Sequence, residues 1–345
     1  MIYLDEYIKK YPASTSQDII KLCYQAAFGA EHAICDVEAA RRYFESEFEA
    51  TEPRCGELYE MISHEICRVD IAAWKAAGLP SEWLFKMFLM TSPSRGREVL
   101  FEEYLREAET KFPYMAGNLR AYMAGGIRPV HHSEEYRNAY TPHYRIAGAR
   151  FVRLLPIMQK ITLTSAIAKI IAIDGRAASG KTTLAEDLSK ITGGGIVHMD
   201  DFFLPPALRT PERLGEAGGN IHYERFSEEI LPRLRSSAEF SYNIFDCSGM
   251  KLSGKRTVAA SPIRIVEGSY SLHPHFGDYA DIKVFSDISQ ESQAERILRR
   301  NGVEMAEMFR RRWIPMEETY FEVYSVREAS QIVLNEELSH SPEQA

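Results

Sequence analysis

The feature that most constrains the 345-residue sequence is a glycine-rich run that begins at Gly175 and ends at Thr182. The run reads G-R-A-A-S-G-K-T, follows an apolar segment at residues 169–174, and precedes a helical pattern that extends to Ile191. A strand, a loop of the form G-x-x-x-x-G-K-T and a helix, in that order, are typical of a phosphate-binding loop. Glycines let the backbone approach phosphate oxygens, and free amides at the helix start attract negative charge. The sequence therefore predicts a nucleotide site here.

The residue types of the loop indicate which nucleotide and which metal ion it binds. A lysine at the position of Lys181 reaches the outer phosphates, and a hydroxyl at Thr182 ligates magnesium. No Asn-Lys-x-Asp sequence, which reads guanine, occurs in the chain, and this favours ATP with Mg²⁺ over GTP. The predicted nucleotide-binding residues in this region are Gly175, Arg176, Ala177, Ala178, Ser179, Gly180, Lys181, Thr182 and Thr183.

Hydrophobic periodicity divides the chain into two parts. Residues 16–158 show helical spacing, which predicts an all-α domain over residues 1–158. Short apolar runs at 169–174, 196–199, 263–266, 282–285 and 332–334 predict buried parallel strands, and helical patterns lie between them. We therefore expect a linker at 159–168 and an α/β domain at 169–345 with a doubly wound parallel sheet.

Composition limits the partners of the protein. With 45% hydrophobic and 26% charged residues, the chain is typical of globular proteins. A net charge of −8 gives no general attraction to nucleic acid or anionic membranes, and no run approaches the ~18 apolar residues of a membrane span. The five cysteines lack the spacing of a disulfide framework. We expect a cytoplasmic protein that acts on a small molecule, with homo-oligomerisation left open.

Two adjacent aspartates follow the second predicted strand. Asp200 and Asp201 stand at the carboxyl end of that strand, where doubly wound sheets bind their ligands. Phosphoryl transfer to an alcohol needs a carboxylate that accepts the proton of the attacking hydroxyl. Because neighbouring side chains on a strand face opposite ways, we expect one aspartate of the pair in the site. A helix cap with a solvated acid is the alternative interpretation.

An acid and a group of arginines complete the predicted nucleotide site. Glu267 ends the third strand just before Gly268, a position suited to holding a magnesium-bound water; a strand-end glutamate without a partner is the alternative. Arg296, Arg299 and Arg300 share one helix face by their spacing and precede Asn301-Gly302, where the chain can hinge. They are predicted to close over ATP as a lid, although a solvated helix face has the same pattern.

Together these motifs give the second half of the chain a family resemblance. The segments G-R-A-A-S-G-K-T, M-D-D-F-F, I-V-E-G, R-I-L-R-R and R-R-W-I-P-M-E-E-T-Y-F resemble the uridine kinase, phosphoribulokinase and pantothenate kinase group of P-loop kinases, from Lys169 to about Leu334. The resemblance implies ATP-dependent phosphorylation of a hydroxyl on a nucleoside or other small metabolite. It also implies Asp200 as general base, Lys181 and Thr182 as phosphate and magnesium groups, and Glu267 as the metal-side acid.

The resemblance also points to the acceptor side. It implies that Asn220, Tyr223 and Arg225 lie near the acceptor, and that Asp246 is able to hold an acceptor hydroxyl. Uridine kinases have a histidine and an arginine after the corresponding Tyr-Asp-Phe segment, whereas this chain continues from Asp246 with Cys-Ser-Gly-Met-Lys. The resemblance therefore supports the reaction class better than uridine as the substrate.

The N-terminal half carries two patterns without an assigned role. Residues 131–145 are dense in histidine, tyrosine and arginine, which suits either a substrate pocket or an ordinary interdomain surface. The pairs His32/Cys35 and His64/Cys67 have a spacing that zinc ligands use, but in helical patterns a spacing of three also just marks one helix face. The alternative for the whole chain is an ATP-binding switch whose N-terminal domain contacts a protein or RNA partner.

Overall fold

The structure is a computed structural model that describes residues 1–30, 36–91 and 96–336. The chain divides into two compact units, Met1–Arg153 and Leu154–Ala345. The linker expected at 159–168 overlaps a helix, Leu155–Leu163, which belongs to the second unit and contacts the strand Ile282–Ser286.

The first unit is largely helical. Its α-helices are α1 (Leu4–Lys10), α2 (Ser16–Phe28), α3 (Val37–Ala50), α4 (Ile71–Ala76), α5 (Ser81–Leu89), α6 (Glu98–Lys111), α7 (Ala116–Ala124) and α8 (Glu134–Tyr140). A capping box starts α2, because the Thr15 side chain and Asp18 bind each other's backbone amides. The apolar face of α2 packs against α6 and α7 in the core of the unit.

A small antiparallel sheet corrects the prediction that this unit is all-α. Its strands are β1 (Tyr59–Met61), β2 (Ile66–Asp70) and β3 (Tyr144–Gly148), in the order β1-β2-β3. Opposite pairs include Glu60 with Arg68 and Arg68 with Ile146. The strands are short, and β2 is buried over four successive residues, so its sequence lacks the alternation that marks a half-buried strand.

The second unit is built on a parallel sheet of five strands. They are β4 (Lys169–Gly175), β5 (Gly195–His198), β8 (Ile263–Glu267), β9 (Ile282–Ser286) and β10 (Ile332–Leu334), in the order β10-β9-β4-β8-β5. All five predicted strands are confirmed. The strand order reverses at β4, and the crevice at the carboxyl ends of the strands beside such a point is where open α/β sheets bind ligands.

Helices and a hairpin surround this sheet. The helices are α9 (Leu155–Leu163), α10 (Lys181–Thr192), α11 (Pro211–Gly215), α12 (Tyr223–Glu229), α13 (Leu231–Leu234), α14 (Gln290–Met308) and α15 (Ile314–Tyr324). The hairpin of β6 (Phe240–Asp246) and β7 (Lys251–Val258) contacts the 3₁₀ turn Met199–Phe202. Within the described ranges, no helix is both long and apolar enough to cross a membrane.

Candidate active site

The glycine-rich loop lies directly between β4 and α10. Gly175 has φ +134°, and a Cβ there would lie 2.1 Å from the carbonyl oxygen of Ser286, so the position accepts only glycine. The Lys181 ammonium donates hydrogen bonds to the carbonyls of Gly175 (2.7 Å) and Arg176 (2.8 Å). These contacts fold the lysine over the loop at the start of α10, where its third N–H remains available for a phosphate oxygen.

Side chains from distant segments brace the loop. Glu317 of α15 accepts from the amide of Ala177 (3.0 Å), while Gln293 of α14 donates to the Ala177 carbonyl (3.1 Å). Burial raises the pKa of Glu317. Arg296 donates to the carbonyl of Ala178 (3.3 Å). The contacts of Glu317 and Gln293 were not predicted. Glu317 lies in the R-R-W-I-P-M-E-E-T-Y-F segment but was given no role there, and Gln293 is a single amide in a helical pattern with no motif around it.

The three predicted lid arginines have different surroundings, and their closing over ATP stays a prediction. Arg296 contacts both the loop and Glu336, whereas Arg299 and Arg300 are exposed further along α14. Gly302 has φ +77° and interrupts the helical geometry, as expected for a hinge. Arg176 donates to Asp287 (2.9 Å) and to Glu318, so its charge is paired with two carboxylates.

Glu267 joins the loop to the end of β5. Its carboxylate is buried, accepts from the Thr182 hydroxyl (3.1 Å), and bonds to His198 Nδ1 (2.6 Å), which lies opposite it in the parallel ladder. The alternative of a strand-end glutamate without a partner is therefore wrong. Among the described residues, no three His, Cys, Asp or Glu side chains converge to hold a metal. Magnesium normally uses one or two protein oxygens with phosphates and water, and Thr182 with Glu267 suits that mode.

The two aspartates differ sharply in their surroundings. Asp201 is 5% exposed and accepts from Tyr242 (2.9 Å) and from Arg256 Nε (2.7 Å). Asp200 is exposed and has no hydrogen bond or ion pair among the residues that the structure describes. Desolvation by the surrounding protein and the negative charge of Glu267 raise the pKa of Asp200, and the positive charge of Lys181 opposes this effect. One aspartate is thus anchored in the fold and the other is free.

A loop after β8 adds groups that sequence reasoning missed. The buried Asp174 accepts from the amides of Tyr270 (3.1 Å) and Leu272 (2.9 Å) and from the Tyr320 hydroxyl (2.9 Å). Tyr270 itself has φ +74°, an uncommon conformation for a bulky residue that often marks a functional loop. Burial and the charge of Glu317 raise the pKa of Tyr270, so its phenol stays neutral.

The predicted acceptor residues fall into two sets. Asn220 is buried beside the aspartate segment, since its carbonyl accepts from Leu204, and its Oδ1 has no hydrogen bond among the described residues. Arg225 is also buried, but it donates to the carbonyls of Asp201 and Asn243. Tyr223 bonds to Glu216, and Asp246 caps the β6–β7 turn through Ser248. Two of the four have a buried polar atom without a hydrogen bond among the described residues, Oδ1 of Asn220 and Nε of Arg225.

The histidine and cysteine pairs of the first unit were expected in helical patterns, and the described pair is not. His64 is exposed and bonds to Tyr3, while Cys67 is buried in β2, donates to the Ala147 carbonyl (3.3 Å), and has its pKa raised by burial to about 12. His32 and Cys35 lie outside the described residues. Within residues 131–145, His132 and Tyr144 bond to each other (2.6 Å); a pocket formed there with the other domain stays a prediction.

The second unit has a doubly wound α/β fold, a five-stranded parallel sheet with a G-x-x-x-x-G-K-T loop between β4 and α10. No protein-family model matches the chain, and no curated protein does so either.

Similar solved structures include a possible uridine kinase from Bacillus stearothermophilus, with 22% identity and a TM-score of 0.42. A candidate fructose transport system kinase from Silicibacter sp. TM1040 has 19% identity and a TM-score of 0.42. Deoxyadenosine kinase from M. mycoides with bound dATP has 16% identity and a TM-score of 0.23. These matches cover 53%, 52% and 50% of this chain and 97%, 98% and 93% of the other chains, respectively.

Proposed function

We propose that the protein is an ATP-dependent phosphotransferase that phosphorylates a hydroxyl of a nucleoside or other small metabolite. The observation that carries the proposal is the contrast between Asp201, which is fixed by Tyr242 and Arg256, and Asp200, which has no hydrogen-bond partner among the described residues. An ATP-binding switch has no need of a free carboxylate beside the phosphate loop. A kinase needs one to receive the acceptor proton.

In this proposal, separate groups of the chain bind the phosphates, hold the metal ion and accept the proton. The loop amides and Lys181 bind the phosphates of ATP, while Thr182 and Glu267 hold Mg²⁺, which neutralises charge on the phosphates when bound. Asp200 orients the acceptor hydroxyl and takes its proton. The raised pKa of Asp200 supports this role, because a base whose pKa is closer to neutrality is a stronger proton acceptor.

The acceptor side is assigned to the segment around Asn220. The orphaned Oδ1 of Asn220 suits an acceptor hydroxyl or N–H. Burial and, to a smaller extent, the charge of Asp200 raise the pKa of Tyr270, and we assign its neutral phenol a hydrogen bond to the same molecule. Tyr223, Arg225 and Asp246 are proposed to support this wall of the site rather than to read the substrate.

The test is ADP production from MgATP across a panel of nucleosides, pantothenate, and plain and phosphorylated sugars. Asp200→Asn is expected to retain ATP binding and to lose about 10²–10⁴-fold in acceptor-dependent turnover. Lys181→Ala is expected to weaken both, and Lys190→Ala is the matched control, because Lys190 lies on the same helix, exposed.

Two other outcomes would distinguish a wrongly assigned base from a wrong reaction class. Acceptor-dependent turnover that survives in Asp200→Asn would show that the base is assigned wrongly. Tight ATP binding without stimulation by any acceptor in the panel would instead favour the nucleotide-dependent switch and direct attention to partners of the N-terminal domain.

A further inference from the structure

The first unit contains a cavity of about 700 Å³ that the proposed kinase reaction does not use. Strands β1 and β2, helix α8 and the segment that follows α3 surround it. A volume of this size is in the usual range for small-molecule pockets, which combine aromatic walls with a few placed polar groups. Tyrosines line this cavity, and one of the polar side chains that line it, Arg68, lacks a counter-charge.

Arg68 of β2 is only 3% exposed, yet it lines the cavity. Its Nε and Nη2 donate to the side-chain oxygen of Gln25 (3.1 and 2.7 Å), which is neutral. Its guanidinium lies between two tyrosine rings, 4.6 Å from Tyr144 and 5.0 Å from Tyr7. Nη1 and the Tyr7 hydroxyl have no hydrogen bond within the described part of the chain. A buried arginine with a free donor is costly unless an anion completes it.

A chain of hydrogen bonds holds this arginine in place. Gln25 bonds to the Tyr144 hydroxyl (3.1 Å), which bonds to His132 (2.6 Å), which bonds to Asp18 (2.7 Å). Burial lowers the pKa of His132 to about 4, so the ring is neutral and adds no second cation. Every link lies in the polar core between α2, α8 and β3. Arg68 is therefore preorganised, as the anchor of a binding site must be.

The other charges at the cavity already neutralise one another. Lys10 pairs with Glu57 (3.0 Å) and Glu60 (3.6 Å), and Arg54 pairs with Asp70 (3.6 Å). Of the lysines and arginines that line the described cavity, only Arg68 has no carboxylate within ion-pair distance. Together with Glu52, the lining has three cations and four acids, a net charge of −1. Because the lining is already slightly negative, it disfavours a multiply charged anion such as phosphate more strongly than a ligand with a single carboxylate.

We propose that this cavity binds a small monocarboxylate that carries a flat ring, zwitterionic aromatic amino acids included. The carboxylate binds the free end of the Arg68 guanidinium, whose planar donors match its two oxygens. The ring lies against Tyr11, Tyr140 and Tyr144, which line the cavity and are half-buried. In zwitterionic ligands the amino group faces Glu60, which lies opposite Arg68 in the β1–β2 ladder.

Binding is tested on the full chain without nucleotide, by isothermal titration calorimetry. The probes are benzoate, indole-3-acetate, phenylalanine, tyrosine and tryptophan, with benzamide and phenylalaninamide as counterparts that lack the carboxylate and inorganic phosphate as a second anion. At least one carboxylate is expected to bind saturably at millimolar concentration or below. Its amide counterpart and phosphate are expected to bind about tenfold more weakly or not at all.

Two variants locate the site. Arg68→Lys keeps the positive charge but loses the planar pair of N–H donors, and we expect it to weaken binding about tenfold. Because Arg68 is buried, a variant that leaves the core intact is needed as well. Ala139→Trp fills the cavity from an exposed position on α8, and Ala121→Trp, at an exposed position on α7, is its matched control. We expect Ala139→Trp to abolish binding and Ala121→Trp to leave it unchanged.

Three results would overturn the proposal: no saturable binding of any carboxylate in the panel, equal binding of the amide counterparts or phosphate, or binding unchanged in Arg68→Lys and Ala139→Trp. None of these measurements involves ATP or the acceptor. A failure here therefore leaves the proposed kinase reaction untouched, and a failure of the kinase reaction leaves this site untouched.

Discussion

Replacing Asp200 or Asp201 by asparagine should have opposite effects on the free energy of unfolding. In Asp201→Asn the fold loses a charge-assisted contact to Arg256 and keeps an acceptor for Tyr242. Because Arg256 is partly exposed, with 39% of its side chain accessible, the ion pair contributes less than a buried one. Because the amide offers one acceptor oxygen where the carboxylate offers two, we expect the free energy of unfolding to fall by about 1–2 kcal/mol.

Asp200→Asn should leave the free energy of unfolding unchanged or raise it. The pKa of Asp200 is raised in the folded state by desolvation and by Glu267, so its ionised form opposes folding. Below the unfolded pKa of roughly 3.9 the carboxyl is neutral in both states, and the variant gains nothing. As pH rises through the folded pKa, the wild-type protein loses stability that the asparagine variant retains. The gain should therefore be present at neutral pH and absent in acid.

The assay is equilibrium urea unfolding at several pH values, followed by circular dichroism. Mg²⁺ and nucleotide are left out so that no metal ion offsets the charge of Glu267. ADP production is measured on the same preparations. A destabilisation of Asp200→Asn as large as that of Asp201→Asn would refute the reasoning, because it would mean that both carboxylates are anchored in the fold. Equal turnover in the two variants would refute the functional half of it.

Three further variants test the phosphate loop and its supports. Gly175→Ala should destabilise the second unit by about 3 kcal/mol or more, because the new Cβ meets the Ser286 carbonyl, while Gly193→Ala, at a positive φ with open space around it, should cost about 1 kcal/mol in the same urea titration. Arg296→Ala should raise the KM for ATP about tenfold, since Arg296 touches the loop, whereas Arg310→Ala, whose partner is the exposed Glu307, should leave it unchanged; equal KM values would remove Arg296 from the site. Glu317→Ala should weaken ATP binding in a fluorescent-nucleotide titration by freeing the loop, with exposed Glu322→Ala as control, and unaltered affinity would show that the Ala177 contact is dispensable.

The fold of the second unit was predictable because its strands are apolar on both faces. Runs such as 169–174 and 263–266 bury every side chain or nearly so, and this leaves a continuous signal in the sequence. The β6–β7 hairpin left no such signal, because most of β7 is exposed. In the first unit, the strand β1 has only three residues, and a segment so short has no measurable periodicity.

Prediction of the candidate site succeeded for residues that belong to local motifs. Lys181, Thr182 and Glu267 lie close together because strand ends and the following loop fix their places. The choice between Asp200 and Asp201 could not be made from the sequence, since it depends on Tyr242 and Arg256, which are more than forty residues away along the chain. Contacts between distant segments determine such roles, and a single sequence does not display them.

The contact between Glu317 and Ala177 shows how such distant contacts shape the loop. A buried carboxylate that accepts the Ala177 amide removes one donor from the set that faces phosphate. The donors left for an anion are then the later amides of the loop and the first turn of α10, together with Lys181. Because Gln293 and Arg296 hold the Ala177 and Ala178 carbonyls, the first half of the loop is fixed in place from the side of α14 and α15.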